Sequence, residues 1–326
     1  MNLQIYNLTA EDMYDSNSKG ISYTAGFFIL IGFTIAFLIL ATVISIPIWQ
    51  GMTGKSIKDM EIAMLDPANR GAARLIQCVT IVVGFLFPTI LAAFLLNRKP
   101  FKLIGFPGKV TWQQTGLVFA IMFLSLFVSG FLSYVNELIP IGQSAQELFE
   151  KMEKEYNQQV EAIIGLDSTA DYLLALFIMA FLPALCEETL FRGGLQNFLT
   201  RATKKPWLSI TIVSILFSLA HLSFYGFFPR LFLGIILGLL YQYSGRIWLN
   251  IFGHFLNNAI ALTALYVYKM QGHSLKDAIN EKTSTVWGVV VLPIVIILIL
   301  LFKKISEPKK EPSFSFEETK EPTHGI

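Results

Sequence analysis

Apolar residues in this chain gather into blocks of about twenty, separated by short stretches that hold most of the charge. A helix rises about 1.5 Å per residue, so some 20 apolar residues cross the roughly 30 Å hydrocarbon core of a bilayer. Eight such blocks can be drawn: Thr24 to Pro47, Leu75 to Leu96, Trp112 to Val135, Tyr172 to Phe198, Trp207 to Leu222, Pro229 to Ser244, Ile247 to Tyr268 and Val286 to Phe302. The sixth is short and begins beside Arg230, and its loss would move the C-terminus to the other side. The pattern predicts an all-α, polytopic membrane helical bundle of about eight transmembrane helices over residues 24–302. A polar N-terminal tail, 1–23, precedes it, with no basic segment or cleavage site of a signal peptide. A cytoplasmic tail, 303–326, follows, and Pro308, Pro312 and Pro322 among alternating Lys and Glu predict that it is disordered. The longest loop, Asn136 to Asp171, holds one helical stretch. Leu148, Met152, Tyr156, Val160 and Ile163 recur there every three or four residues between charges, which predicts an amphipathic helix on the membrane surface or capping the bundle.

Composition agrees, because 54% of residues are hydrophobic and 15% are charged. A formal charge of +2, with no basic cluster interleaved with aromatics, leaves no footprint for nucleic acid. Counting Lys and Arg by loop gives fourteen on the side of the termini against nine opposite. That bias predicts a multi-pass protein of the cell inner or plasma membrane with both termini cytoplasmic. Cys78 and Cys186 lie in separate apolar blocks, so a structural disulfide has little support.

Chemistry enters with the fourth block, the one block with acids inside it: Leu182-Pro183-Ala184-Leu185-Cys186-Glu187-Glu188-Thr189-Leu190-Phe191-Arg192-Gly193-Gly194. An ionisable side chain at the bilayer centre costs upwards of about 2.5 kcal/mol, so such residues usually face a cavity and serve a function. Glu188 and Arg192 are i and i+4 and can pair, whereas Glu187, about 100° round the helix, faces another neighbour. Pro183 can kink or widen the helix just upstream. The next block carries Phe217-Ser218-Leu219-Ala220-His221, and an antiparallel hairpin centred near residues 203 and 204 puts His221 at the depth of Glu187. Two blocks later His254 and Asn258, again i and i+4, share a face in His254-Phe255-Leu256-Asn257-Asn258. By the same counting His254 is shallower than the other two. Glu, His, His and Asn in a dry cavity would offer a base for water, a second imidazole and donors for an oxyanion. Of four histidines, His273 and His324 lie in loop and tail and look incidental. Gly234 and Gly238 form a GxxxG, read as a packing face within the molecule.

From Tyr172 to Tyr268 the chain resembles the CPBP intramembrane endopeptidases, which include the type II CAAX prenyl endopeptidase and abortive-infection-like proteins. EETLFR (Glu187 to Arg192), FSLAH (Phe217 to His221) and HFLNN (His254 to Asn258) match the family's E-E-x-x-x-R, F-x-x-x-H and H-x-x-x-N signatures in order. The resemblance implies a CPBP-like catalytic region at 172–268 and hydrolysis of a peptide bond in a membrane-embedded or lipid-anchored protein or peptide. It further implies that Glu187 and His221 orient and activate water, that His254 and Asn258 stabilise the oxyanion, and that Glu188 and Arg192 support the site. The site is expected to open toward the cytoplasmic side.

Two alternatives stay open at this stage. Glu187, His221 and His254 are also a His₂Glu set of the kind that binds catalytic zinc, although H-E-x-x-H is absent and a metal-free, glutamate-activated water is slightly favoured. The polar cluster could also belong to a non-enzymatic protein, a proton or solute pathway or a bacteriocin-immunity scaffold, though no inverted repeat is visible. Cys186 is a poor candidate nucleophile, since two carboxylates and an apolar helix oppose a thiolate. The physiological substrate and the oligomeric state are not legible.

Overall fold

The computed structural model describes residues 16–280 and 286–306, and the described residues are almost entirely helical. Most of the expected N-terminal tail (1–15), most of the expected disordered tail (307–326) and His324 lie outside the described residues. Seven helices are long and apolar enough to cross a bilayer: α1 (Tyr23–Thr53), α2 (Pro67–Leu96), α3 (Trp112–Glu137), α5 (Thr169–Thr203), α7 (Phe227–Ser244), α8 (Ile247–Met270) and α10 (Gly288–Ser306). Between them run the amphipathic α4 (Gln143–Ile164), the short apolar α6 (Pro206–Leu219) and α9 (Leu275–Asn280). Local signals set several ends. Ser22 accepts from the Ala25 N–H at the start of α1, which stops at Gly54 with φ 67°. Thr111 and Gln114 form a capping box at the start of α3.

All eight expected blocks are helices, with one difference that matters for function. The fifth, expected to run to Leu222, ends at Leu219. Its 14 residues span about 21 Å, less than the hydrocarbon core. His221 therefore sits past the helix end, in a turn that continues to Gly226. The amphipathic helix forms close to where its periodicity places it.

Apolar side chains that a soluble protein would bury lie on the outside of α1 (Phe28, Ile35, Ile39, Val43) and of α10 (Val289, Val290, Ile297, Leu300). Lipid is the solvent that suits such a surface. The packed core runs inside, from Leu30 through Met122, Phe198, Phe217 and Leu237 to Phe302. One end of the bundle joins Lys19 N–H to the Leu96 carbonyl (2.9 Å), Ile247 N–H to the Gly105 carbonyl (3.0 Å) and Gln114 to Ser306 (3.1 Å). Both described chain ends lie on that face.

The opposite face is tied by charge. Arg74 of α2 donates to the carbonyls of Ile163 (2.8 Å) and Ile164 (2.6 Å) and pairs with Asp171 at 2.6 Å. Asp167 receives Arg70 at 2.7 Å and Lys269 at 2.6 Å. Thus α2, the end of α4, the start of α5 and the end of α8 meet on one cluster. Hydrogen bonds from Lys269, then Arg70, hold the Asp167 carboxyl below its ordinary range.

Two outcomes follow for thermal unfolding in detergent. Arg74→Ala should lose about 2 kcal/mol, because it removes the nearer of two arginines from Asp171 and strands two carbonyls. A carboxyl whose folded pKa is depressed contributes stability that is complete above its unfolded value, about 3.9. That contribution is lost as pH falls through the lower folded value. The Tm advantage of wild type over Asp167→Asn should therefore be constant above about pH 5 and shrink toward pH 2.

Candidate active site

The path of α5 is interrupted twice. A wide π-turn, Leu176–Phe181, precedes Pro183, which has no N–H to give to the turn behind it, and a second, Thr189–Gln196, follows the two glutamates. The acids thus sit on a short α-helical segment, Leu182–Glu188, between two widened ones.

Glu188 is fully buried and engaged on all sides. Its Oε1 lies 2.9 Å from His254 Nδ1, and its Oε2 accepts from Asn250 Nδ2 at 3.4 Å. Arg192 Nε is 3.3 Å from the same Oε2 but is not aimed at it, so that contact is ionic rather than a directed hydrogen bond. The Arg192 guanidinium, also fully buried, donates to the Gly234 carbonyl at 3.3 Å and lies 4.9 Å over the Phe217 ring. One turn on, Gln196 donates to the Gly238 carbonyl at 2.9 Å. Such approach needs glycine: a Cβ on Gly234 would stand 2.9 Å from Ser214 Cβ, and one on Gly238 2.9 Å from Ile210. The GxxxG therefore packs inside the molecule, against α6.

Glu187 differs from its neighbour. Its side chain keeps 12% of its surface accessible, and its Oε2 has no hydrogen-bond partner while lying 4.0 Å from His254 Nε2. That separation is too long for a hydrogen bond and short enough for one water to bond both groups from the side. With Nδ1 taken by Glu188, Nε2 is the His254 nitrogen left for chemistry.

The two imidazoles pack against one ring. Phe217 meets His221 at 5.0 Å and His254 at 5.8 Å, edge to face in both cases. His221 Nδ1 is 2.8 Å from the Phe217 carbonyl. The imidazole that faces Glu187 is that of His254, and Glu187 and His221 make no direct hydrogen bond. Asn258 lies one turn along α8 and accepts from Asn257 Nδ2 at 3.3 Å, without touching either acid. The depth difference expected for His254 does not keep it from the glutamates.

Three contributors were given no role from sequence, although Phe217 opens the F-x-x-x-H match. Asn250, fully buried, also donates to the Leu237 carbonyl at 2.6 Å. Its signal is its place four residues before His254, on the same helix face. Arg230, at the start of α7, brings a second cation near Glu187 and His221 without an ion pair to either. Phe217 is the common wall. Beside this cluster lies a cavity of about 1050 Å³, bordered by Phe127 of α3, Glu150 and Asn157 of α4, Tyr225, Arg230 and Ala261. It is at the upper end of the range for ligand sites. It opens on the face opposite Asn17 and Ser306. If this cavity is the way in, a site facing the cytoplasm and cytoplasmic termini cannot both hold.

A catalytic zinc would need Glu187, His221 and His254 around one point. Each histidine has Nδ1 engaged and Nε2 free, as ligating histidines do. Among the described residues, however, no three His, Cys, Asp or Glu side chains are close enough to share an ion. The set as placed does not fit a metal. Cys78 and Cys186 are unpaired, though they border one apolar cluster.

The family model for type II CAAX prenyl endopeptidase Rce1-like proteins matches residues 169–260, from the start of α5 to the middle of α8 and rather more than a quarter of the chain. All three signatures fall inside that stretch. No curated protein and no solved structure matches the chain.

Removing one partner of a buried pair leaves an uncompensated charge, at a cost of about 3–5 kcal/mol. Arg192→Ala should therefore lower the Tm in detergent by about 10 °C or more. Arg192→Lys should recover only part, because an ammonium cannot reach Glu188, Gly234 and the Phe217 face together.

Proposed function

We propose, taking residues 169–260 as a domain of the type II CAAX prenyl endopeptidase Rce1-like family, that this integral membrane protein hydrolyses a peptide bond in a membrane-embedded or lipid-anchored protein or peptide by means of a glutamate-activated water. The observation that carries the reading is the unequal treatment of two adjacent acids. Glu188 is paired on every side, while Glu187 keeps a buried oxygen unpartnered 4.0 Å from a ring nitrogen. A buried acceptor left open is uncommon and points to a group that takes up a proton or a water.

In this reading Glu187 accepts a proton from water as the water oxygen bonds to the scissile carbonyl carbon. His221 helps to orient that water. The negative charge that develops on the carbonyl oxygen is met by Asn258 Nδ2 and by His254, which, with Nδ1 given to Glu188, donates from Nε2 in its imidazolium form. The C–N bond then breaks and the proton held by Glu187 passes to the leaving amine, which restores the carboxylate. Glu188, with Arg192 and Asn250 behind it, fixes the His254 ring, as a carboxylate does for a catalytic imidazole. The cavity beside Arg230 is the space in which the substrate segment next to the scissile bond would lie.

The test is cleavage of a fluorogenic membrane peptide by purified protein in detergent, with and without a chelator. Glu187→Gln should lose about 10²- to 10⁴-fold in rate, the contribution typical of a positioned base, and chelation should leave wild type unaffected. Cys186→Ser should retain most activity. Activity lost to chelator and restored by zinc would overturn the metal-free reading. Cleavage abolished by Cys186→Ser in a folded protein would move the nucleophile to the thiol. No cleavage of a broad peptide set by folded wild type would favour a non-enzymatic pathway or scaffold.

A further inference from the structure

His221 is the one member of the cluster that does not stand on a helix: its ring bonds back to the Phe217 carbonyl of α6, but its backbone belongs to a turn. The turn that carries it, Ala220 to Gly226, includes Leu222 at φ 51°. A residue with a Cβ adopts that region only where the surroundings over-determine it. Within the turn the bonds are short-range: His221 N–H to the Ser218 carbonyl (3.3 Å), Gly226 N–H to Ser223 Oγ (3.0 Å) and Phe227 N–H to the Phe224 carbonyl (3.1 Å). Two outside elements hold it. From α3, buried Asn136 donates to the Phe224 carbonyl at 2.9 Å and accepts from Phe228 N–H at 3.4 Å.

From α4 come three further contacts. The Phe149 ring lies flat on Phe224, with centroids 4.3 Å apart and planes 2° apart. Glu153 Oε2 accepts from Ser223 Oγ at 2.7 Å. The Tyr156 ring faces the Arg230 guanidinium at 5.3 Å. Positions 149, 153 and 156 are i, i+4 and i+7, one stripe along the helix. The buried residues of α4, Ala162 and Ile164, are at its far end. Along its first four turns the stripe joins this charged helix to the turn of His221 and to the start of α7.

We propose that α4 positions His221: the stripe of Phe149, Glu153 and Tyr156 clamps the turn against Asn136 and so sets where the imidazole stands. The proposal deepens the peptidase reading and rests on it for the role of His221. Phe149 and Glu153 are positioning residues, since neither touches the reacting atoms. Phe149 also lies outside the residues that line the cavity, whereas Glu153 lines it. Tyr225 and Gly226 of the clamped turn do line it, so a change at Phe149 should act chiefly on the rate of the chemical step and on substrate binding only through those two residues.

The experiment uses the full chain in detergent and measures two things: backbone hydrogen exchange at residues 220–226, and steady-state cleavage of a fluorogenic membrane peptide. Displacing a catalytic group by about 1 Å can cost about 100-fold. Phe149→Ala should speed exchange in the turn at least about tenfold and lower kcat about 10- to 100-fold, with a smaller rise in KM. Phe149→Tyr, which keeps the flat ring, should restore both. Glu153→Ala, which removes the contact from α4 and leaves Ser223 Oγ its bond from the Gly226 N–H, serves as the second variant should Phe149→Ala not fold, with faster exchange and lower kcat expected. Unchanged exchange in these variants would overturn the clamp, and faster exchange with unchanged kcat would overturn its catalytic purpose. A folded wild type that cleaves no peptide would overturn the peptidase reading, and exchange would still decide the clamp.

Discussion

A carboxylate with no exposed surface has to be matched by charge and by donors, and Glu188 imposes that requirement on four helices at once. Arg192, one turn along α5, brings the charge, and His254 and Asn250 of α8 bring donors. Arg192 in turn needs an acceptor, which the Gly234 carbonyl of α7 offers, and α7 reaches it only because Gly234 and Gly238 let it close on α6. Phe217 of α6 closes the cluster under the guanidinium. Remove the charge from Glu188 and the reason for each of these contacts goes with it.

Buried ion pairs seldom stabilise a fold more than apolar packing of the same volume would, because desolvation offsets their attraction. Stability alone therefore gives no reason for Glu188 and Arg192. Orientation does: a paired Glu188 fixes the His254 ring through Nδ1 and turns Nε2 toward Glu187, the acid that nothing pairs. Two adjacent glutamates about 100° apart on a helix divide into one that is paired on every side and one that keeps an oxygen without a hydrogen-bond partner. The shortness of α6 contributes in the same way, since ending at Leu219 frees His221 from helical geometry and hands it to a turn that α3 and α4 hold from outside.

Much of this is legible in the sequence, and the reasons are physical. Eight helices can be drawn because lipid demands long apolar blocks, and α4 can be drawn because a surface helix must be amphipathic. The Glu188 and Arg192 pair follows from i, i+4 spacing, and the packing role of Gly234 and Gly238 from the absence of side chains. What the sequence does not show depends on distant contacts. The end of α6 at Leu219 leads into a turn that bonds to Asn136 and Glu153, both distant in sequence. The meeting of His254 with both acids depends on tilts and π-turns that simple rise per residue ignores. Asn250 looks like one polar residue among apolar ones until Glu188 is found beside it. Arg230 reads as a flank of its helix, and its nearness to Glu187 and His221 emerges only from the packing of α7 against the site.

The division between the two acids is the claim on which the account stands, and a paired comparison tests it most directly. Peptide cleavage and thermal unfolding in detergent would be measured side by side for Glu187→Gln and Glu188→Gln. The account predicts a crossed result. Glu187→Gln abolishes cleavage with Tm unchanged or slightly raised, since no partner is lost. Glu188→Gln lowers Tm markedly, because Arg192 is left buried without its counter-charge. A Glu187→Gln protein that still cleaves, or a Glu188→Gln protein as stable as wild type, would contradict it.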